Sequence, residues 1–107
     1  MPNTIRARIR FLSPEEGGRL EPARDRIKPQ LKLGDIFTST VVHAPAGTTI
    51  FDPGYIYDVQ LEITFWEQYE NLFDRNAPAE LYEGSRKIAV GEFLMAGPEQ
   101  AGGSEPR

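Results

Sequence analysis

The 107-residue chain has no cysteine and a single histidine. The first absence rules out disulfides, a thiol nucleophile and a thiolate metal site. The second leaves His43 without the nitrogen partners a metal centre needs, and no carboxylate run has the spacing of a calcium loop. No metal and no cofactor are therefore expected. No apolar run approaches the roughly 20 residues that cross a bilayer, and the opening Met1-Pro2-Asn3-Thr4-Ile5-Arg6 lacks the apolar centre of a secretory leader. The chain reads as soluble and cytoplasmic, with no membrane partner. A phosphate loop is missing too, because Gly17-Gly18 has no Lys-Ser/Thr behind it at a helix start. This chain is expected to bind no nucleotide by itself.

Long helical stripes are also lacking. What is present is period-two alternation broken by turns. Ile5, Ala7, Ile9 and Phe11 alternate with Arg6, Arg8 and Arg10, the pattern of a half-buried strand with three arginines on its outer face. Gln30 to Leu33 and Ile36 to His43 read as strands separated by Gly34-Asp35. Tyr55 to Trp66 is the longest candidate, with Tyr57, Val59, Leu61, Ile63 and Phe65 facing one way. Glu80 to Glu83, the turn Gly84-Ser85 and Arg86 to Met95 form a closing hairpin, in which Gly91 marks a bulge or a tight bend. Glu67 to Phe73 is a short helical turn or an irregular crossover. These segments predict an all-β fold, a small antiparallel barrel of about six strands spanning residues 1–96, followed by a disordered tail over 97–107.

Net charge is −4, divided unevenly. Residues 1–33 carry eight basic and four acidic side chains, and residues 34–107 carry four and twelve. The first third is basic and the remainder strongly acidic, so a basic stripe on an acidic body is one reading and solvated surface charge the other.

The stretch Leu12-Ser13-Pro14-Glu15-Glu16-Gly17-Gly18-Arg19 poses the sharpest question. Ser13 occupies an N-cap position, Pro14 the first helical position, and Glu16 lies three residues after the cap, which is the capping-box arrangement. Gly17 and Gly18 are expected to supply left-handed conformations that stop the turn. Glu15 and Glu16 point in different directions on such a turn, so they do not flank one bond. His43 has Ser39 and Asp35 near it in sequence, but no nucleophile-elbow pattern surrounds it. Nothing here makes an active site, and the chain reads as non-enzymatic. Trp66 and Tyr69 break the inward pattern and are expected either exposed, as anchors of a binding surface, or closing a barrel end.

Taken in order, these motifs resemble the C-terminal (third) β-barrel domain of bacterial elongation factor Tu. The resemblance rests on Leu12 to Arg19; on Lys28-Pro29-Gln30 opening a strand; on Thr38-Ser39-Thr40-Val41-Val42; on Asp52-Pro53-Gly54-Tyr55 before a long strand; and on Glu83-Gly84-Ser85-Arg86 leading to Val90-Gly91. It covers roughly residues 4–95. It implies a domain without chemistry, with no GTPase domain in this chain, whose one side contacts the backbone of tRNA. The RNA-contacting positions it implies are Gln30, Thr38, Glu83 and Gly84. Lys28 stands where that family has arginine, and Ser85 where it has a second hairpin glycine. Two functions are thus expected: a translation-factor-like barrel binding RNA (tRNA-like) or a translation component, or a protein–protein interaction module that kept the barrel and lost RNA binding. Their candidate surface comprises Arg6, Arg8, Arg10, Arg19, Trp66 and Tyr69.

Overall fold

The computed structural model describes residues 4–94; Met95 and the tail over 97–107 lie outside the described residues. Six strands close into an antiparallel barrel in the order β1-β6-β4-β3-β7-β8, the all-β architecture expected. These are β1 (Thr4–Phe11), β3 (Gln30–Leu33), β4 (Ile36–His43), β6 (Ile56–Ile63), β7 (Pro78–Glu83) and β8 (Arg86–Phe93). β8 returns to pair with β1, Ile9 opposite Gly91, so the barrel leaves no open edge among its strands. A two-stranded flap of β2 (Ala23–Arg24) and β5 (Ile50–Phe51) lies outside this ring.

Alternation places the core. Ala7, Ile9 and Phe11 of β1 meet Leu31 and Leu33 of β3, Val59, Leu61 and Ile63 of β6, and Leu81 of β7, all buried. Each large side chain removed from water in this way contributes about 1.5–3 kcal/mol. β6 ends at Ile63, short of the expected Trp66, and Phe65 lies 52% exposed rather than facing the core.

The alternation fails in β8, where Ile88 and Ala89 are both buried. The register explains it: Leu81 pairs with Ala89 but Tyr82 pairs with Lys87, so Ile88 is the extra residue of a β-bulge. The bulge therefore lies at Ile88, not at Gly91. Gly91 instead marks a close approach, since a Cβ there would sit 1.9 Å from the Arg8 carbonyl oxygen.

Aromatic clusters shut both ends. Phe51, from the flap, stacks on Phe11 at 4.7 Å and meets Tyr57 edge-on at 5.0 Å. At the other end α1 (Trp66–Tyr69) and a 3-10 turn (Glu70–Leu72) carry Trp66 onto Phe73 at 5.6 Å, and Phe73 packs on Phe93 at 4.8 Å.

Candidate interaction surface

The Leu12–Arg19 stretch folds as its capping signature requires. Ser13 Oγ accepts from the Glu16 amide at 3.3 Å, and Glu16 Oε1 accepts from the Ser13 amide at 3.0 Å. Gly17 takes the left-handed conformation, with φ of 90°. Gly18 does not; it is required because a Cβ there would lie 2.2 Å from the Leu12 carbonyl oxygen. Glu16 also accepts two hydrogen bonds from Arg10 Nη1, at 2.9 and 3.1 Å. Hydrogen bonding to the Ser13 backbone first, and then to Arg10, holds the Glu16 carboxyl below its ordinary range. It is thus a structural anion.

This corner aims Arg19 at the β7–β8 turn. Arg19 Nη1 donates to Glu83 Oε2 at 2.9 Å, and Arg86 Nη1 donates to the Gly18 carbonyl oxygen at 3.4 Å. Residues more than sixty positions apart are thereby joined into one polar rim.

The arginine face of β1 is largely neutralised. Arg8 grips Asp58 through Nε at 2.8 Å and Nη2 at 3.2 Å, a bidentate pair that keeps the Asp58 carboxyl below its usual range. Arg10 is taken by Glu16. Of these three arginines, Arg6 alone makes no side-chain hydrogen bond or ion pair among the described residues, though its charge also acts on Asp58. The basic-stripe reading therefore gives way to a ladder of ion pairs at Arg8 and Arg10.

The positions that the resemblance implies for RNA contact fare unequally. Gln30 is exposed on β3 and lies in one cross-strand row with Ser39 and Tyr82. Glu83 and Gly84 occupy the adjoining turn, Gly84 with φ of 63°. Thr38 faces inward, 3% exposed, and its hydroxyl has no hydrogen-bond partner among the described residues. As an RNA contact it is corrected: β4 shares its inward phase with Thr40 and Val42, which leaves Ser39 as the outward neighbour. Phe37 and Tyr82 were missed by sequence reasoning. They meet edge-on at 5.1 Å across this face, Phe37 46% exposed, with Lys87 over the Tyr82 ring. Reading outward residues of the strands with the same care as inward ones would have found them.

Trp66 and Tyr69 are half-buried and packed on the core. Their rings close the barrel end rather than standing free. His43 meets neither Ser39 nor Asp35; its Nε2 lies 2.8 Å from Glu62 Oε1, reached across the β4–β6 pairing. A carboxylate only accepts, so that nitrogen carries the proton. No cluster of three or more metal-ligating side chains occurs among the described residues. No described helix is long and apolar enough to cross a membrane.

No protein-family model matches the chain, and no curated protein does.

Proposed function

We propose that the chain is a non-enzymatic, translation-factor-like barrel that binds the backbone of a structured RNA through the outer face of β3, β4 and β7 and the Glu83–Gly84 turn. One observation carries this reading. Gln30 and Glu83–Gly84, more than fifty positions apart in sequence, come onto one side of the barrel because Gln30 pairs in register with Tyr82. The exposed Ser39 completes the row, and Arg19 stands at its end beside Glu83. Amide, hydroxyl and guanidinium groups in this arrangement suit phosphate and sugar oxygens, which position RNA without reading its sequence. Titrating a tRNA with the full chain at decreasing salt tests it. Binding that weakens steeply with salt, and is lost in Gln30→Ala with Arg19→Ala, is expected; no binding at the lowest salt overturns it.

A second reading has its own observation. The ion-pair ladder on β1 leaves little free positive charge, while Tyr55 and Ile56 are 66% and 65% exposed beside it. A protein-interaction module would use such apolar surface. A stable protein complex that survives Gln30→Ala and Arg19→Ala but not Ile56→Asp distinguishes the two.

A further inference from the structure

A different part of the barrel carries a groove of about 460 Å³, within the size range of small-ligand sites. Its floor is a single row of outward side chains. Gln60 of β6 pairs with Arg6 of β1 on one side and with His43 of β4 on the other. Neighbouring strands are about 4.8 Å apart, so the three residues span roughly 10 Å. Ala44, Pro45 and Ala46, in the loop leaving β4, form one wall.

The acids flanking Gln60 on β6 decide the electrostatics. Asp58 and Glu62 alternate outward on either side of it. Asp58 has both oxygens engaged by Arg8, and Glu62 is held by His43. Asp58 lines the groove and feels the Arg6 charge, but its hydrogen bonds go to Arg8, so the Arg6 guanidinium makes no hydrogen bond or ion pair of its own among the described residues. A guanidinium fork matches the two oxygens of a planar carboxylate. The Gln60 amide supplies a further donor across the strand pair. The alanine–proline wall suits a small apolar substituent.

We propose that this row binds a carboxylate borne on a small apolar group, either the free C-terminus of a peptide or a small organic acid. The charges around the groove select for it. The Arg6 fork has its donors open to the two oxygens of a planar monoanion, whereas the second charge of a dianionic phosphate finds only the Asp58 and Glu62 carboxylates near it. The site does not rest on the RNA reading: β4 is common to both, but contributes His43 here and Ser39, four residues earlier, there.

Amide chemical shifts of the full chain, titrated with N-acetyl-alanine, its primary amide, propionate and inorganic phosphate, test this. Saturable shifts at Arg6, Gln60 and Ala46 are expected with N-acetyl-alanine and none with the amide. Arg6→Gln weakens binding at least about tenfold, as loss of a charge-assisted hydrogen bond requires, and Arg6→Lys recovers part of it. Equal binding of propionate assigns a free acid, and tighter binding of N-acetyl-alanine a peptide end. Binding of the amide as strong as that of the acid, unchanged affinity in Arg6→Gln, or competition by phosphate at equal concentration overturns the proposal. Dispersed spectra of the variants establish that they fold.

Discussion

Arg19 and Glu83, sixty-four positions apart, meet at 2.9 Å. The contact fastens the Leu12–Arg19 corner to the β7–β8 turn, and with it the polar rim at that side of the barrel. Both side chains are partly exposed, so the pair contributes little to stability. Arg19→Ala and Glu83→Ala should each cost under about 1 kcal/mol and show a coupling of about 0.5 kcal/mol in a double-mutant cycle. A coupling several times larger would mean that the corner and the turn form a tighter unit than their exposure suggests.

The two close-approach glycines should be far more sensitive. A Cβ at Gly18 would sit 2.2 Å from the Leu12 carbonyl oxygen and one at Gly91 would sit 1.9 Å from that of Arg8. These neighbours are backbone and cannot swing aside. Gly18→Ala and Gly91→Ala should each destabilise by about 3 kcal/mol or more. Gly17→Ala, with open space around it but a φ of 90°, should cost nearer 1 kcal/mol. Urea unfolding of the three variants gives the order directly.

The paired inward threonines of β4 should respond in opposite directions. Thr40 Oγ1 donates to the Glu62 carbonyl oxygen at 2.8 Å, while Thr38 Oγ1 is buried with no partner among the described residues. Thr38→Val removes an unsatisfied hydroxyl and should stabilise by about 1 kcal/mol; Thr40→Val removes a satisfied one and should destabilise by a similar amount. Destabilisation by Thr38→Val in thermal melts would show that its hydroxyl is satisfied after all.

Acid should act through Glu16 and Asp58. Both carboxyls lie below their ordinary range in the folded chain, Glu16 through the Ser13 backbone hydrogen bond and Arg10, Asp58 through the hydrogen bond from Arg8. A carboxyl with a depressed folded value stabilises above its unfolded value and loses that contribution as pH falls through the folded one. Melting temperature should therefore decline below about pH 4. Glu16→Gln and Asp58→Asn should flatten this acid limb; an unchanged slope in both would exclude these two groups as its source.

Trp66 tests whether the crossover is a cap. Its ring packs on Phe73 and, through it, on Phe93. Trp66→Ala should cost roughly 2–4 kcal/mol, near the lower bound for a fully buried aromatic because the ring is only half-buried. A melting temperature equal to that of the parent chain would return Trp66 to the role of a free surface anchor.

Much of the barrel was legible because a strand's inner face is a local property. Ile5 to Phe11 and Gln30 to Leu33 announce their pairing faces by alternation alone, and Ser13 with Glu16 announces the turn between strands. Thr38 was named from the resemblance alone, and the phase it shares with Thr40 and Val42 sends it inward. The break at Ile88 could not be read locally either, since a bulge is defined by what lies opposite.

The sequence by itself determined the barrel's main strands, where the chain reverses and most of the side chains that leave water, since backbone preference and hydrophobic period act over a few residues. Tertiary structure alone decided the partners: Arg8 with Asp58, His43 with Glu62, Arg19 with Glu83, and Arg6 with no ion pair among the described residues. Those choices follow from barrel closure and cross-strand register, which bring together charges separated by dozens of residues at distances no local pattern encodes.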